Sequence, residues 1–205
     1  REIIAPKKTK SSEWIGVMRH AQRLGMSTTA TMMYGHVETI EERVEHFRRI
    51  RELQDEMHGF RSFTSWTYQN DGNRLGALVP RETMPTSFDY LLTQAVSRIY
   101  LDNVDHIKAY WVSSGADVAQ IALRFGADDL DGTIVHETIY HAAGSRVPQG
   151  LRYDELVRLI REAGRIPIER DTFYNVVREH PRVALPESAL KVRERKAGKH
   201  LEVLS

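Results

Sequence analysis

The stretch TIEERVEHFRRIRELQDEMHGFRSFTSWTY, residues 39–68, decides the fold. Ile40, Val44, Phe47, Ile50, Leu53 and Met57 recur at helical spacing and mark one face, with Glu and Arg on the other. Thr39, with Glu42 three positions on, forms a capping box that starts this helix. Gly59 stands at the position where a left-handed residue ends a helix. Phe60 to Tyr68, rich in aromatic residues and Thr, then reads as a strand.

The same order of helix, glycine and strand recurs on both sides. Trp14, Val17, Met18, Ala21 and Leu24 mark a helix closed by Gly25, before a strand near 27–33. Phe88, Leu91, Leu92, Ala95, Val96 and Ile99 mark another, followed by a strand over 107–112. Val118, Ile121, Ala122 and Phe125 mark a third, closed by Gly126 and followed by a strand over 127–131. A last helix, Tyr153 to Ala163, ends at Gly164. Repeated units of this kind build a parallel sheet covered by helices, an α/β fold. The folded region is expected to span 1–178, with 179–205 an extended or weakly structured tail. The long connection from Gln69 to Ser87 follows a strand, at the end of an α/β sheet where function usually sits.

Composition narrows the class. The chain has 205 residues, a net charge of +1, 41% hydrophobic residues and no cysteine. It is long enough to bury a core without staples, and it holds no disulfide or thiolate metal site. The near-zero net charge argues against nonspecific binding to nucleic acid. No apolar run is long enough to cross a membrane, and Arg1 to Lys8 lacks the apolar core of a signal peptide, so the cytoplasm is the expected location. There is no initiator Met. No GxGxxG, Walker A or GxSxG pattern occurs.

Several clusters could carry chemistry. In Tyr34-Gly35-His36-Val37-Glu38, the glycine permits close backbone approach to a ligand, while His36 and Glu38 supply acid/base groups. The plainer reading is a polar strand-to-helix turn. Trp66, Tyr68 and Gln69 suit a flat aromatic ligand, or simply a buried strand. Asp128, Asp129 and Asp131, with Gly132 and Thr133, resemble a calcium loop, but the twelfth position holds Ile139 instead of Glu. They are better read as partners for a sugar hydroxyl or an amine. His136 and His141 stand five residues apart, so their imidazoles diverge by roughly 140° on a helix and cannot share one zinc. The basic run Arg48-Arg49-Ile50-Arg51 reads as a solvated face, and Lys191 to Lys199 has no aromatic platform for nucleic acid.

The block Thr29 to Thr39 resembles the radical S-adenosylmethionine (SAM) enzymes that build menaquinone by the futalosine route and the deazaflavin of coenzyme F420. Arg51 to Phe60, Arg98 to Asn103, His106 to Val112, Leu123 to Thr133 and Arg161 to Tyr174 continue the likeness. It implies a (βα)8 TIM-type barrel in which a three-cysteine loop binds a [4Fe-4S] cluster. This cysteine-free chain then corresponds to strands five to eight plus the C-terminal tail. The expectation is a C-terminal half, inactive alone, from a truncated frame, a split gene or an excised domain. His36 and Glu38 are implied as catalytic, and Met33 and Gly35 as contacts for SAM. Trp66, Tyr68, Gln69, Asp128, Asp129, Asp131 and Thr133 are implied as substrate contacts, with no metal ligand.

Within the family, His106 to Val112, Asp128 to Thr133, Ile139 to Gly144 and Pro148 to Leu151 are most similar to aminofutalosine synthase. Thr28 to Met33 and Trp66 to Gln69 look more like the cyclic dehypoxanthinyl futalosine synthase. The synthase likeness implies addition of the 5′-deoxyadenosyl radical to the enol-ether double bond of 3-[(1-carboxyvinyl)oxy]benzoate, then rearrangement and loss of carboxylate. A deazaflavin synthase subunit is an alternative. Other readings are a noncatalytic half-barrel that pairs with a separate N-terminal chain, and a fragment without function. An open half-barrel with exposed edges also predicts self-association.

Overall fold

The computed structural model describes residues 3–71, 73–134, 137–143, 145, 147–148 and 150–181. The chain divides into two compact units, Arg1–Arg165 and Ile166–Ser205. The first unit begins α1 (Ser11–Arg23), β1 (Thr28–Tyr34), α2 (Ile40–Met57), β2 (Phe60–Thr67), α3 (Ser87–Tyr100) and β3 (His106–Ala109). It continues with α4 (Trp111–Ser114), α5 (Ala116–Ala122), α6 (Ile139–Ala142) and α7 (Tyr153–Glu162). Two 3-10 turns, Leu75–Ala77 and Arg81–Thr83, lie in the connection before α3.

The sheet runs β1-β2-β3, parallel throughout, with Thr31 beside Thr64 and Thr64 beside Lys108. The parallel α/β expectation holds, and the arrangement is consistent with part of a TIM-type barrel. Two strand expectations are corrected. The segment 107–112 leaves the sheet at Ala109, because Trp111 and Val112 turn into α4 and are buried there. The segment 127–131 contributes only one parallel bridge, Asp129 to Lys108. Among the described residues the fourth unit therefore has no full strand.

Parallel partners share a face, so the register sorts the side chains. Ala30, Phe63 and Ile107 turn toward the helices and join Phe47, Ile50, Leu53, Leu101 and Val104 in one buried cluster. A second cluster joins Ala109, Trp111 and Val112 to Ala119, Ala122, Leu156 and Leu159. The opposite sheet face is mostly polar: Thr29, Ser62 and His106 form one row, and Thr31, Thr64 and Lys108 the next.

Some local expectations change too. Thr39 caps α2 as read, with Glu42 reciprocating. The left-handed residue after α2 is His58, at φ 51°, and not Gly59. Gly59 is needed for space, since a Cβ there would lie 2.3 Å from the Gln22 side chain. Ile40 and Val44 of α2, and Val17 and Leu24 near α1, are exposed despite their helical spacing.

Buried amides fix the amino ends of the strands. Gln54 accepts from Phe60 N–H at 2.8 Å and donates to the carbonyls of Phe60 and Asn103, each at 3.1 Å. Gln22 donates to Thr28 Oγ1 at 2.7 Å. Arg98 donates to the carbonyls of Gly126, Val104 and Asp105 and to Asp128.

The second unit holds an antiparallel hairpin, β4 (Ile168–Arg170) with β5 (Val176–Glu179). Its turn is organised by Asp171, whose carboxylate accepts from the N–H groups of Phe173 and Asn175 while Tyr174 takes φ 65°. The sequence reading contained no such hairpin. Most of the expected tail, 182–205, lies outside the described residues, as does His136 of the rejected zinc spacing.

Candidate functional site at the carboxyl ends of the strands

In a parallel βα sheet the loops after the strands all emerge at one end. The loops after β1, β2 and β3 therefore share a mouth, and most of the expected site residues lie there.

After β1 the chain turns at Gly35, which has φ 86°. A Cβ at this position would lie 1.9 Å from Pro85 Cγ, so the connection before α3 closes directly onto the glycine. Glu38 folds back over the turn. Its carboxylate accepts from Gly35 N–H at 2.5 Å, His36 N–H at 2.8 Å and Arg43 Nε at 2.7 Å. His36 Nδ1 lies 2.8 Å from the same carboxylate and 2.7 Å from Val37 N–H. One nitrogen cannot donate to Glu38 and accept from Val37 at once, so the imidazole tautomer selects between these contacts. Both side chains are nearly closed to solvent, at 7% exposure for His36 and 10% for Glu38. Burial pushes the Glu38 carboxyl up, yet the hydrogen bonds from His36 and from the Gly35 and His36 N–H groups outweigh it and hold it at about 2. Glu38 is thus a fixed anion.

Arg43, which sequence reading did not single out, and Tyr68, which it did, complete this group. Arg43 lies over the Tyr34 ring, 4.7 Å from its centroid, while it binds Glu38. Tyr68 meets His36 edge-on at 6.2 Å, and its backbone N–H donates to the Tyr34 carbonyl. Arg43 falls within a charged helix face, so composition offered no signal for it.

After β2, Trp66 continues the face of Thr64 and joins an aromatic wall. Its ring lies 5.9 Å from Tyr110, which lies 5.8 Å from Tyr140. Tyr140 donates its hydroxyl to the Thr67 carbonyl at 2.7 Å, and Thr67 N–H donates to Ser113 Oγ at 2.9 Å. Burial and the nearby Glu137 and Asp131 carboxylates push the Tyr110 phenol up to about 12, so it stays protonated. The Gln69 amide donates to the Thr67 hydroxyl at 3.4 Å.

The aspartates separate. Asp131, left-handed at φ 63°, binds Lys108 Nζ at 2.6 Å on the polar face. Asp129 accepts from Asp131 N–H at 2.8 Å and shapes that turn. Asp128 is turned toward the amino end of β3, where it binds Arg98, Ile107 N–H and His106. Thr133 is exposed. The structure therefore brings His36, Glu38 and Tyr68 together, and places Trp66 and Asp131 at the same end. It does not bring Asp128 there. Lys108 had one sequence signal, a cation alternating with apolar Ile107 and Ala109 in a strand.

The chain supplies no cysteine, and no three His, Asp or Glu residues converge as a metal site among the described residues. An iron–sulfur cluster does not fit this chain's own side chains. No helix among the described residues is long and apolar enough to cross a membrane.

Comparison with known proteins agrees with this architecture. The chain is 48% identical to aminodeoxyfutalosine synthase of Thermus thermophilus over 89% of its length and 49% of the relative's. It is 44% identical to 5-amino-6-(D-ribitylamino)uracil–L-tyrosine 4-hydroxyphenyl transferase 1 of Methanosarcina barkeri, over 87% of this chain and 48% of that protein. It is 40% identical to cyclic dehypoxanthine futalosine synthase of Streptomyces coelicolor, over 88% of this chain and 44% of that one. The chain spans about half the length of the curated relatives it matches. The family described as the CofH/MqnC C-terminal region matches residues 57–183, which include β2, β3 and the aromatic wall. The chain belongs to the CofH/MqnC C-terminal region family.

Proposed function

We propose that these residues form the substrate-facing part of a radical SAM enzyme of menaquinone biosynthesis by the futalosine route, acting in the cytoplasm as an aminofutalosine synthase. The observation that carries this reading is the 48% identity to an aminodeoxyfutalosine synthase, against 44% and 40% for the relatives with other names. When bound, SAM supplies the 5′-deoxyadenosyl group that joins the enol-ether carbon of 3-[(1-carboxyvinyl)oxy]benzoate.

This chain's part is binding and orientation. Trp66, Tyr110 and Tyr140 offer an aromatic wall suited to contact with a benzoate ring. The protonated Tyr110 phenol is a donor, suited to a substrate carboxylate. Lys108, held by Asp131, places a cation on the same face. Met33, on the row of Trp66 and partly open, is the residue we put against the adenine. Gly35 contributes the turn, its free side being filled by Pro85. His36, fixed by Glu38, faces Tyr68 and closes that side of the mouth.

The test uses the cluster-loaded enzyme containing these residues. Trp66→Ala and His36→Ala should each lower adduct formation at least tenfold while iron and sulfide content stay unchanged. Unchanged turnover in both variants, or loss of cluster, would refute the assignment. The cyclase reading has Thr28 to Met33 and Trp66 to Gln69 in its favour, so turnover of dehypoxanthine futalosine by the same preparation would move the assignment to that branch.

A further inference from the structure

Helix α3 turns its polar side to the sheet: Tyr90, Thr93, Gln94 and Ser97 are buried, while Phe88, Leu92 and Ile99 are exposed. Two of the buried side chains, four residues apart and so on one stripe of the helix, bind backbone groups at the carboxyl end of β3. Gln94 donates to the Lys108 carbonyl at 3.2 Å, and the Tyr90 hydroxyl accepts from Tyr110 N–H at 3.1 Å. Tyr90 is only 1% exposed, so it acts on the mouth through Tyr110 and not by touching a ligand.

The tyrosines at this end differ in what their hydroxyls do. That of Tyr90 is committed to Tyr110 N–H, and that of Tyr140 to the Thr67 carbonyl. The Tyr110 hydroxyl has no hydrogen-bond partner among the described residues, and its side chain is partly open. Of the three, Tyr110 is the one with a donor to offer.

Tyr110 is held at both of its backbone groups. Its N–H is fixed by Tyr90, and its carbonyl accepts from Ser113 N–H at 3.0 Å, which starts α4. These bonds fix the direction of the Tyr110 Cα–Cβ bond, and the neighbouring Trp66 and Tyr140 rings confine the phenol. A misplacement of about 1 Å in a substrate-positioning group is enough to lose its contact.

We infer that Tyr90 is a positioning residue: from α3, behind the sheet, it sets where Tyr110 presents its hydroxyl to a substrate carboxylate. The inference rests on the reading of Tyr110 as a substrate contact. Tyr90 leaves the chemistry untouched and governs how well the carboxylate is held.

The test is a double-variant cycle in the cluster-loaded enzyme containing these residues, with KM for 3-[(1-carboxyvinyl)oxy]benzoate and kcat read separately. Tyr110→Phe should raise KM about tenfold, the loss of one hydrogen bond to a charged group. Tyr90→Phe should raise KM about threefold with kcat unchanged. The double variant should be no worse than Tyr110→Phe alone, because Tyr90 acts only through Tyr110. Amide exchange gives a readout that does not depend on turnover: Tyr90→Phe should speed exchange at Tyr110 and leave residues 54–60 as in the wild type. An unchanged KM in Tyr110→Phe would overturn the reading of Tyr110 and this inference with it. A raised KM in Tyr110→Phe but not in Tyr90→Phe would overturn this inference alone. So would additive effects in the double variant, unchanged exchange at Tyr110, or protection lost across the whole sheet in Tyr90→Phe, which would make Tyr90 a packing residue.

Discussion

The two ends of the same three strands are built from different chemistry. At the amino ends, Gln54, Gln22 and Arg98 donate side-chain N–H groups to backbone carbonyls or to Thr28, tying each strand start to a helix. At the carboxyl ends, the charged and aromatic side chains bind one another instead: Glu38 with His36 and Arg43, Lys108 with Asp131, Trp66 with Tyr110. The first end is organised to hold the backbone, the second to present side chains. A parallel βα sheet makes this division possible, because its loops after the strands can vary without disturbing the strand starts.

Breaking the amino end should therefore cost most in stability. Gln54→Ala leaves buried backbone groups of Phe60 and Asn103 without partners, and should lower unfolding free energy by about 3 kcal/mol in urea titration. At the mouth, Gly35→Ala meets both a left-handed φ and the Pro85 ring, and should cost about 2 kcal/mol, with its exchange protection lost chiefly around residues 34–38.

Glu38→Gln should cost less, with a pH signature of its own. The folded-state carboxyl is held at about 2, below its ordinary 4.5, so its contribution is complete above the ordinary value and is lost as pH falls toward 2. The stability gap between wild type and Glu38→Gln should narrow across that window. A gap independent of pH would mean that the side chain acts through packing alone. The smallest effect belongs to Ser113→Ala, which removes the acceptor of Thr67 N–H and should cost about 1 kcal/mol.

Much of the fold was legible in residues 39–68, because helix spacing, a capping box and a β-rich run agreed there. The parts that were not legible share a cause. Apolar periodicity in Phe88 to Ile99 locates α3 but cannot tell which side faces the sheet, and here the polar side does. Trp111 and Val112 extend an apolar strand pattern, yet their burial is achieved in a helical turn. The β4–β5 hairpin depends on the Asp171 turn, a side-chain hydrogen-bonding device that hydrophobic spacing does not register. At the site, Gly35, His36 and Glu38 were visible as a cluster. Their anchors, Arg43 and Pro85, lie five or more residues away and are joined to them only by the fold.

We propose that the carboxyl ends of β1, β2 and β3 form the binding face. Hydrogen exchange on the enzyme containing these residues, with and without 3-[(1-carboxyvinyl)oxy]benzoate, tests it most directly. Protection should increase at residues 33–38, 66–70 and 108–111, and stay unchanged at 54–60 and 103–106. Protection confined to the amino ends, or none at the mouth at saturating ligand, would contradict it.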